Sequence, residues 1–369
     1  MTRVLDGGPI QVLASPGGGG TDGNPYIDLL HQGVAALGVE VTPFDRRRLL
    51  AARGVVHVHW PAALVRWDSA PRAVADGAKV LAGLAVARLR GARLVWTGHD
   101  LEPHELRHPL LYRLYFAAFS RMVDLWISLT PAGAAVLQQR YPVLARRPLR
   151  VVPHGSYRDA YPGGPSTQGV DRRRADEVLD LPSARRSYLL LGQIRPYKQV
   201  PALLRAFAAD ADPDARLLVV GEVRGDPHLA HAARAAAPSG AVLRLERVPG
   251  TQVPLWHAAA DVVVLPYDTR SALNSGALLL ALSLDTPVVV ADSPINRELR
   301  QQVGEDWVHL FDGGPAEALA VAKRVAHARR PGRPDLDAFA WPAIAEATVQ
   351  AYRDVLGVVP SPDHQEQPA

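Results

Sequence analysis

The chain contains no cysteine, which excludes disulfides, thiol nucleophiles and cysteine–metal sites. It has no apolar run long enough to form a bilayer-spanning helix. No basic segment followed by an apolar core opens the sequence, so no signal peptide is legible. Lysine is scarce, standing only at Lys79, Lys198 and Lys323 in a chain that otherwise uses arginine for positive charge. What is present is a globular composition, 48% hydrophobic and 21% charged over 369 residues, and that length suggests two domains of ordinary size. The formal charge of +4 suits phosphate, nucleic acid or an acidic membrane face, or simply a solvated arginine-rich surface. A cytoplasmic location is the simplest expectation.

Short aliphatic or β-branched runs alternate with longer alanine- and leucine-rich segments. The first group is IQVLAS (10–15), GVEVTPF (38–44), VVHVHW (55–60), RLVWTGH (93–99), LWISLT (125–130) and LRVVPHG (149–155). The segments between them, such as Pro25–Leu37, Ala73–Arg90 and Pro131–Tyr141, are helix-like. A polar stretch from Tyr161 to Ser187 follows and reads as a linker. The alternation resumes at YLLLGQ (188–193), RLLVVGE (216–222), VLRLERV (242–248), DVVVLPY (261–267) and PVVVAD (287–292). This pattern predicts an α/β chain of two doubly wound, Rossmann-like domains with parallel sheets. The expected boundaries are 1–160, a linker over 161–187, 188–340, a closing helix over 341–356 and a disordered tail over 357–369.

Open parallel sheets bind ligands beyond the carboxyl ends of their strands, so those ends carry most information. In the first half they bring the glycine loop after Ser15, then His59 and Trp60, then His99, Asp100, Glu102, His104 and Glu105, and finally His154. In the second half they bring Gly192 to Lys198, Glu222, Val248 with Pro249, and Tyr267. Two turns stand out. In LLLGQIRPYKQVPALLRAF a strand ends at Gly192 and a short turn presents Arg195 and Lys198, a fork and a point charge suited to a diphosphate. In LPYDTRSALNSGALLLAL, Asn274 and Ser275 stand where a helix N-cap belongs, and Gly276 and Ala277 offer unobstructed amides to an anion.

These stretches, with VPGTQVPLWHAAADVVVLPY and NSGALLLALSLDTPVVVAD, resemble the donor half of GT-B glycosyltransferases, in the large group related to retaining mannosyl- and glucosyltransferases. GGGGTDGNPY, HVHWP, WTGHDLEPHE and VVPHGSY carry the resemblance into the first half, where the last three look like bacterial enzymes of exopolysaccharide or glycolipid assembly. The resemblance implies two domains facing a cleft, a nucleotide-sugar co-substrate and no cofactor or metal. It implies that Arg195 and Lys198 grip the donor diphosphate, helped by Glu222, Tyr267, Asn274, Ser275, Gly276 and Ala277, and that Val248 and Pro249 sit by the base. His99 would touch the transferred sugar. Gly18, Gly19, Gly20, Asn24, His59, Trp60, Glu102 and His104 would line the acceptor side or the cleft loop. The sequence departs from the family at Gln193, where an arginine is common and Arg195 stands in. It departs again at Ala272 and Leu280, where a glutamate pair is common. Asp100, Glu102 and Glu105 are the candidate bases if the reaction inverts; a retaining reaction can proceed without one.

Other patterns have competing readings. Gly18, Gly20 and Gly23 satisfy G-x-G-x-x-G between a strand and a helix, the imprint of an NAD-dependent oxidoreductase, but they sit in or beside a glycine run where that pattern arises easily. A non-catalytic nucleotide-sugar binder is the third reading. His57 and His59 share a strand face and could bind metal, though hydrogen-bonded histidines are the simpler expectation. Asp210 and Asp212 imitate an acidic metal motif in what reads as a solvated turn. The segment 108–126 could touch a membrane surface or pack against the first sheet. The runs Arg46–Arg48 and Arg172–Arg174 lack interleaved aromatics, which argues against nucleic acid. The expected function is transfer of a hexose, with GDP-mannose as the donor by resemblance, to a hydroxyl of a saccharide, lipid-linked saccharide or natural product. Peripheral contact with the inner membrane face goes with a lipid-linked acceptor.

Overall fold

The computed structural model describes residues 8–18, 24–103, 107–161, 171–267, 273–328 and 332–358. Of the residues singled out above, Gly19, Gly20, Gly23, His104, Glu105 and Ala272 lie outside that set, as does most of the polar stretch before 171. The described residues form two compact units. The first takes residues 8–18, 24–99, 107–155 and 341–358, and the second takes 100–103, 156–161, 171–267, 273–328 and 332–340.

The sheet of the first unit contains β1 (Ile10–Ser15), β2 (Val39–Pro43), β3 (Val55–Val58), β4 (Arg93–Gly98), β5 (Leu125–Ser128) and β6 (Leu149–Val151). Its order is β2-β1-β3-β4-β5-β6, with every neighbouring pair parallel. β3 and β5 are buried along their whole length, as expected for strands covered on both faces. The crossovers are α1 (Tyr26–Ala36), α2 (Arg46–Ala51), α3 (Ala70–Leu89), α4 (Pro109–Met122) and α5 (Pro131–Arg140). α4 buries Tyr112, Tyr115, Phe116 and Phe119 and leaves Leu110 and Leu114 exposed. The last helix, α13 (Trp341–Leu356), belongs to this unit and packs on α1. Its Trp341 ring lies so close to Gly155 that a Cβ there would sit 2.3 Å from it.

The second sheet contains β7 (Arg186–Leu191), β8 (Ala215–Val220), β9 (Ala241–Arg244), β10 (Val262–Leu265), β11 (Val288–Ala291) and β12 (Val308–Phe311). Its order is β12-β11-β10-β7-β8-β9, again wholly parallel. Counted within the unit this is the 3-2-1-4-5-6 order of dinucleotide-binding sheets, whose direction reverses between β7 and β10. Its helices are α6 (Arg172–Leu179), α7 (Val200–Asp210), α8 (Leu229–Ala236), α9 (Val253–Ala258), α10 (Gly276–Ser283), α11 (Pro294–Val303) and α12 (Pro315–Val325). The stretch read as a linker thus carries a helix. α6 is held by Arg172, which bonds both oxygens of Asp261 at 2.9 and 3.0 Å. It is also held by the buried Arg216, which reaches Asp176, Ser187 and two main-chain carbonyls. Among the described residues no helix is long and apolar enough to cross a membrane.

Candidate active site

In the second unit the predicted cationic turn falls at the reversal point between β7 and β10. β7 ends at Leu191, and Gly192 follows with φ +117°, a conformation that L side chains rarely adopt. The chain then runs through Gln193 and Ile194 to a one-turn 3₁₀ segment, Pro196–Lys198, ahead of α7. Lys198 is 5% exposed. A Cβ on Gly192 would stand 3.3 Å from its Nζ, which is 5.8 Å from the centre of the Tyr267 ring. Burial, with the nearby Arg195 guanidinium, pushes the ammonium down to about 8. Tyr267, just past β10, is itself buried and shares a hydrogen bond of 2.9 Å with Ser275 Oγ. Ser275 caps α10 by accepting from Leu278 N. Lys198, Tyr267, Ser275 and the first amides of α10 therefore form one linked group, and that group is suited to an anion: a desolvated cation beside a helix N-terminus.

The Arg195 guanidinium donates to Gln193 Oε1 through Nε (3.2 Å) and Nη2 (3.1 Å), so Gln193 aims the arginine. Glu222 is paired with Arg224 at 2.8 Å, and Val248 and Pro249 lie at the turn after β9, half-buried and exposed respectively. The ends of β7 and β8 touch closely: a Cβ on Gly221 would come within 2.1 Å of the Gly192 carbonyl oxygen.

In the first unit β3 and the segments just after β3, β4 and β6 bring imidazoles together. His57, His59, His99 and His154 are all buried. His57 shares hydrogen bonds of 2.8 Å with Tyr352 Oη through Nδ1 and with Thr97 Oγ1 through Nε2. His59 Nδ1 is 2.9 Å from His99 Nε2. Trp60 stacks on His99 with ring centres 4.5 Å apart, and the Tyr26 ring meets His99 edge-on at 5.2 Å. His154 donates from Nδ1 to the Gly155 carbonyl and lies 4.3 Å from the Tyr26 ring. Burial lowers His57 to about 3 and His154 to about 4. Gly18 lies in the left-handed region, at φ +81°. Asn24 accepts from Tyr26 N at the entry to α1. Asp100 and Glu102, half-buried, fall in the second unit. Among the described residues no group of three acidic or histidine side chains is placed to hold a metal ion. Asp210 and Asp212 are engaged by Lys323 and Arg186.

Sequence reasoning missed Tyr26, Tyr352, Trp341 and Thr97 as members of the imidazole cluster, and Gln193 as the partner of Arg195. Position along a strand could have found Thr97. No local signal joins Tyr352 to His57, 295 residues away.

Two parallel six-stranded Rossmann-like sheets in one chain, the second with a buried lysine at its reversal point, define the GT-B class. Solved structures of similar fold bear this out. The chain aligns with Anabaena HepE in complex with UDP and glucose at TM-score 0.62 and 15% identity, over 95% of this chain and 97% of that one. It aligns with sucrose-phosphate synthase from Thermosynechococcus elongatus at TM-score 0.59 and 14% identity, over 94% and 95%. Residues 185–326 match the family described as Glycosyl transferases group 1. The chain is 31% identical over 372 aligned positions, covering 97% of its length and 96% of the relative's, to the GDP-mannose:glycolipid 4-beta-D-mannosyltransferase of Xanthomonas campestris pv. campestris. The chain belongs to this family of glycosyltransferases and is a hexosyltransferase that uses a nucleotide-sugar donor. The NAD-dependent and binding-only readings find no support in these comparisons.

Proposed function

We propose that the chain moves a mannosyl unit from GDP-mannose to a hydroxyl of a glycolipid. The observation that carries this reading is the relative of that name, matched along nearly the whole of both chains. Lys198 and Arg195 hold the donor diphosphate, and Gly276 and Ala277 contribute main-chain amides at the start of α10. As the bond from the sugar's anomeric carbon to the phosphate oxygen breaks, these groups stabilise the charge left on the diphosphate. Tyr267 and Ser275 fix that arrangement, Val248 and Pro249 flank the base, and Glu222 borders the donor. His99 contacts the transferred sugar. His59 and Trp60 hold His99, and Gly18–Gly20, Asn24 and His104 belong to the acceptor side. A β-mannoside made from an α-linked donor requires inversion, so a carboxylate takes the acceptor's proton; Asp100 is our first choice and Glu102 the second. The exposed Leu110 and Leu114 of α4, with the exposed Arg113 between them, form the surface we assign to the inner membrane face.

The test uses purified protein, radiolabelled GDP-mannose and a lipid-linked saccharide in detergent. Labelled lipid with stoichiometric GDP release is expected. Transfer from UDP-glucose with none from GDP-mannose would overturn the donor, and label confined to water-soluble product would overturn the acceptor.

A further inference from the structure

His99 is held more tightly than a residue that merely lines a cavity. Trp60 covers one face, Tyr26 meets it edge-on, and its Nε2 faces His59 Nδ1 at 2.9 Å. His59 lies in turn against His57, the rings tilted by 36° with centres 4.2 Å apart, and His57 is pinned at both nitrogens by Tyr352 and Thr97. Burial, then the neighbouring imidazoles, hold both His59 and His99 well below the ordinary histidine value, so near neutral pH both rings are uncharged. A hydrogen bond between two neutral imidazoles contains one proton, and two arrangements are possible.

The far side of His59 separates them. His59 is 1% exposed, and its Nε2 is sealed from solvent with no hydrogen-bond partner among the described residues. Were His99 the donor, the proton of His59 would sit on that Nε2 as a buried, unpaired N–H, the rarest kind of orphan in folded proteins. Were His59 the donor from Nδ1, its Nε2 would be a bare lone pair. His99 would accept at Nε2 and carry its own proton on Nδ1. Free histidine mildly prefers its proton on Nε2, and the orphaned donor is the heavier of the two penalties.

We propose that His59 is a positioning residue that locks His99 in the Nδ1-protonated tautomer, so that His99 meets the sugar as a neutral hydrogen-bond donor and not as a base. The lone pair on Nε2 is occupied by His59, and Nδ1–H is the one hydrogen-bonding group the ring has left. The acceptor's proton must then go to a carboxylate. The sugar contact rests on the function proposed above; the tautomer does not.

The experiment is a multiple-bond ¹H–¹⁵N correlation spectrum of the full chain labelled at histidine nitrogens, at pH 7.5, with His99 assigned by loss of its signals in His99→Gln. His99 is expected to show a protonated Nδ1 and an unprotonated Nε2; the reverse pattern would overturn the proposal. His59→Asn, which keeps an N–H donor near the same place, should keep that pattern and most of the turnover. His59→Phe should shift His99 to Nε2–H and lower kcat by roughly 10- to 100-fold, by analogy with partners that orient metal-binding histidines, with little change in donor KM. A folded His59→Phe that keeps both tautomer and rate refutes the idea. If His59→Phe does not fold, the wild-type spectrum alone decides. A wild-type protein with the expected spectrum and no transfer from GDP-mannose would sink the functional reading and leave the tautomer standing.

Discussion

The buried imidazoles make the first unit acid-labile, and the effect can be worked out. In the unfolded chain a histidine titrates near 6.5. In the folded first unit His57 is lowered to about 3 and His154 to about 4, both chiefly by burial. As pH falls below 6.5 the unfolded chain takes up protons that the folded one refuses, so stability is full above 6.5 and drains as pH falls toward the folded values. One pH unit of such a difference is about 1.4 kcal/mol. Going from pH 7.5 to pH 5 therefore costs roughly 2 kcal/mol per histidine, and roughly 4 kcal/mol for this pair. His59 and His99 act in the same direction. Among its described residues the second unit has one such group, His257, lowered by burial to about 3, and loses roughly 2 kcal/mol. Against a typical domain stability of about 5–15 kcal/mol, the loss in the first unit is large. Paired carboxylates do not blur the result. Asp76, for example, is held well below its ordinary value by Arg66 and contributes only below the window tested. Trp60, Trp67, Trp96, Trp126 and Trp341 belong to the first unit, against Trp256 and Trp307 in the second, so fluorescence-detected urea unfolding reports mainly the first. Its midpoint should fall steadily between pH 6.5 and 5. Hydrogen exchange should show a greater loss of protection in β3 and β4 than in β7 and β8. A midpoint that does not move, or a greater loss in β7 and β8, would refute the reasoning.

Three further outcomes are expected. Lys198→Ala and Arg195→Ala should each lower donor kcat/KM by on the order of 100-fold or more while circular dichroism stays unchanged; near-normal turnover in both would remove them from the site. Because free Lys198 loses its proton near pH 8 and a bound diphosphate favours the ammonium, GDP binding at pH 8.5 should take up protons. Calorimetry in buffers of differing ionisation enthalpy would detect this, and an equal uptake by Lys198→Met would refute the assignment. Gly221→Ala, at φ +143° and with its Cβ 2.1 Å from the Gly192 carbonyl oxygen, should cost at least about 2 kcal/mol. An unchanged melting temperature would contradict the close contact of β7 and β8.

What was legible from sequence followed short-range rules. Strands buried on both faces are continuous aliphatic runs, so β3, β8 and β10 are plain in VVHV, ARLLVV and VVVL. Ligand groups lie at strand ends, so Lys198, Tyr267, His59 and His99 could be nominated before any contact was known. α6 was missed because RRRADEVL buries only Ala175 and Leu179; its remaining letters are those of a solvated loop. The partners that hold it, Asp261 and Arg216, are distant in sequence. The membership of α13 in the first unit was invisible for the same reason: its period marks an amphipathic helix but not the surface that receives it.

The two reversal points have opposite electrical surroundings: a buried lysine in the second unit and a cluster of buried imidazoles in the first. In the second unit, under the function proposed above, a cation meets a dianionic group. Lys198 is desolvated beside Tyr267, where its charge is costly without a partner and correspondingly strong with one. In the first unit, between β1 and β3, the groups must stay neutral. Four buried histidines packed together would repel one another if charged; burial is the larger cause of the lowering of His59, and His57 and His99 add to it. A single carboxylate among them would reverse this by stabilising an imidazolium. A substitution such as Thr97→Asp, placing an anion where His57 Nε2 now finds a hydroxyl at 2.8 Å, should therefore raise the His57 pKa by several units. It should also charge the cluster near neutral pH. Histidine NMR titration reads that shift directly. A His57 that stays neutral at pH 6 in a folded Thr97→Asp protein would show that packing, and not the absence of a nearby anion, keeps these rings uncharged.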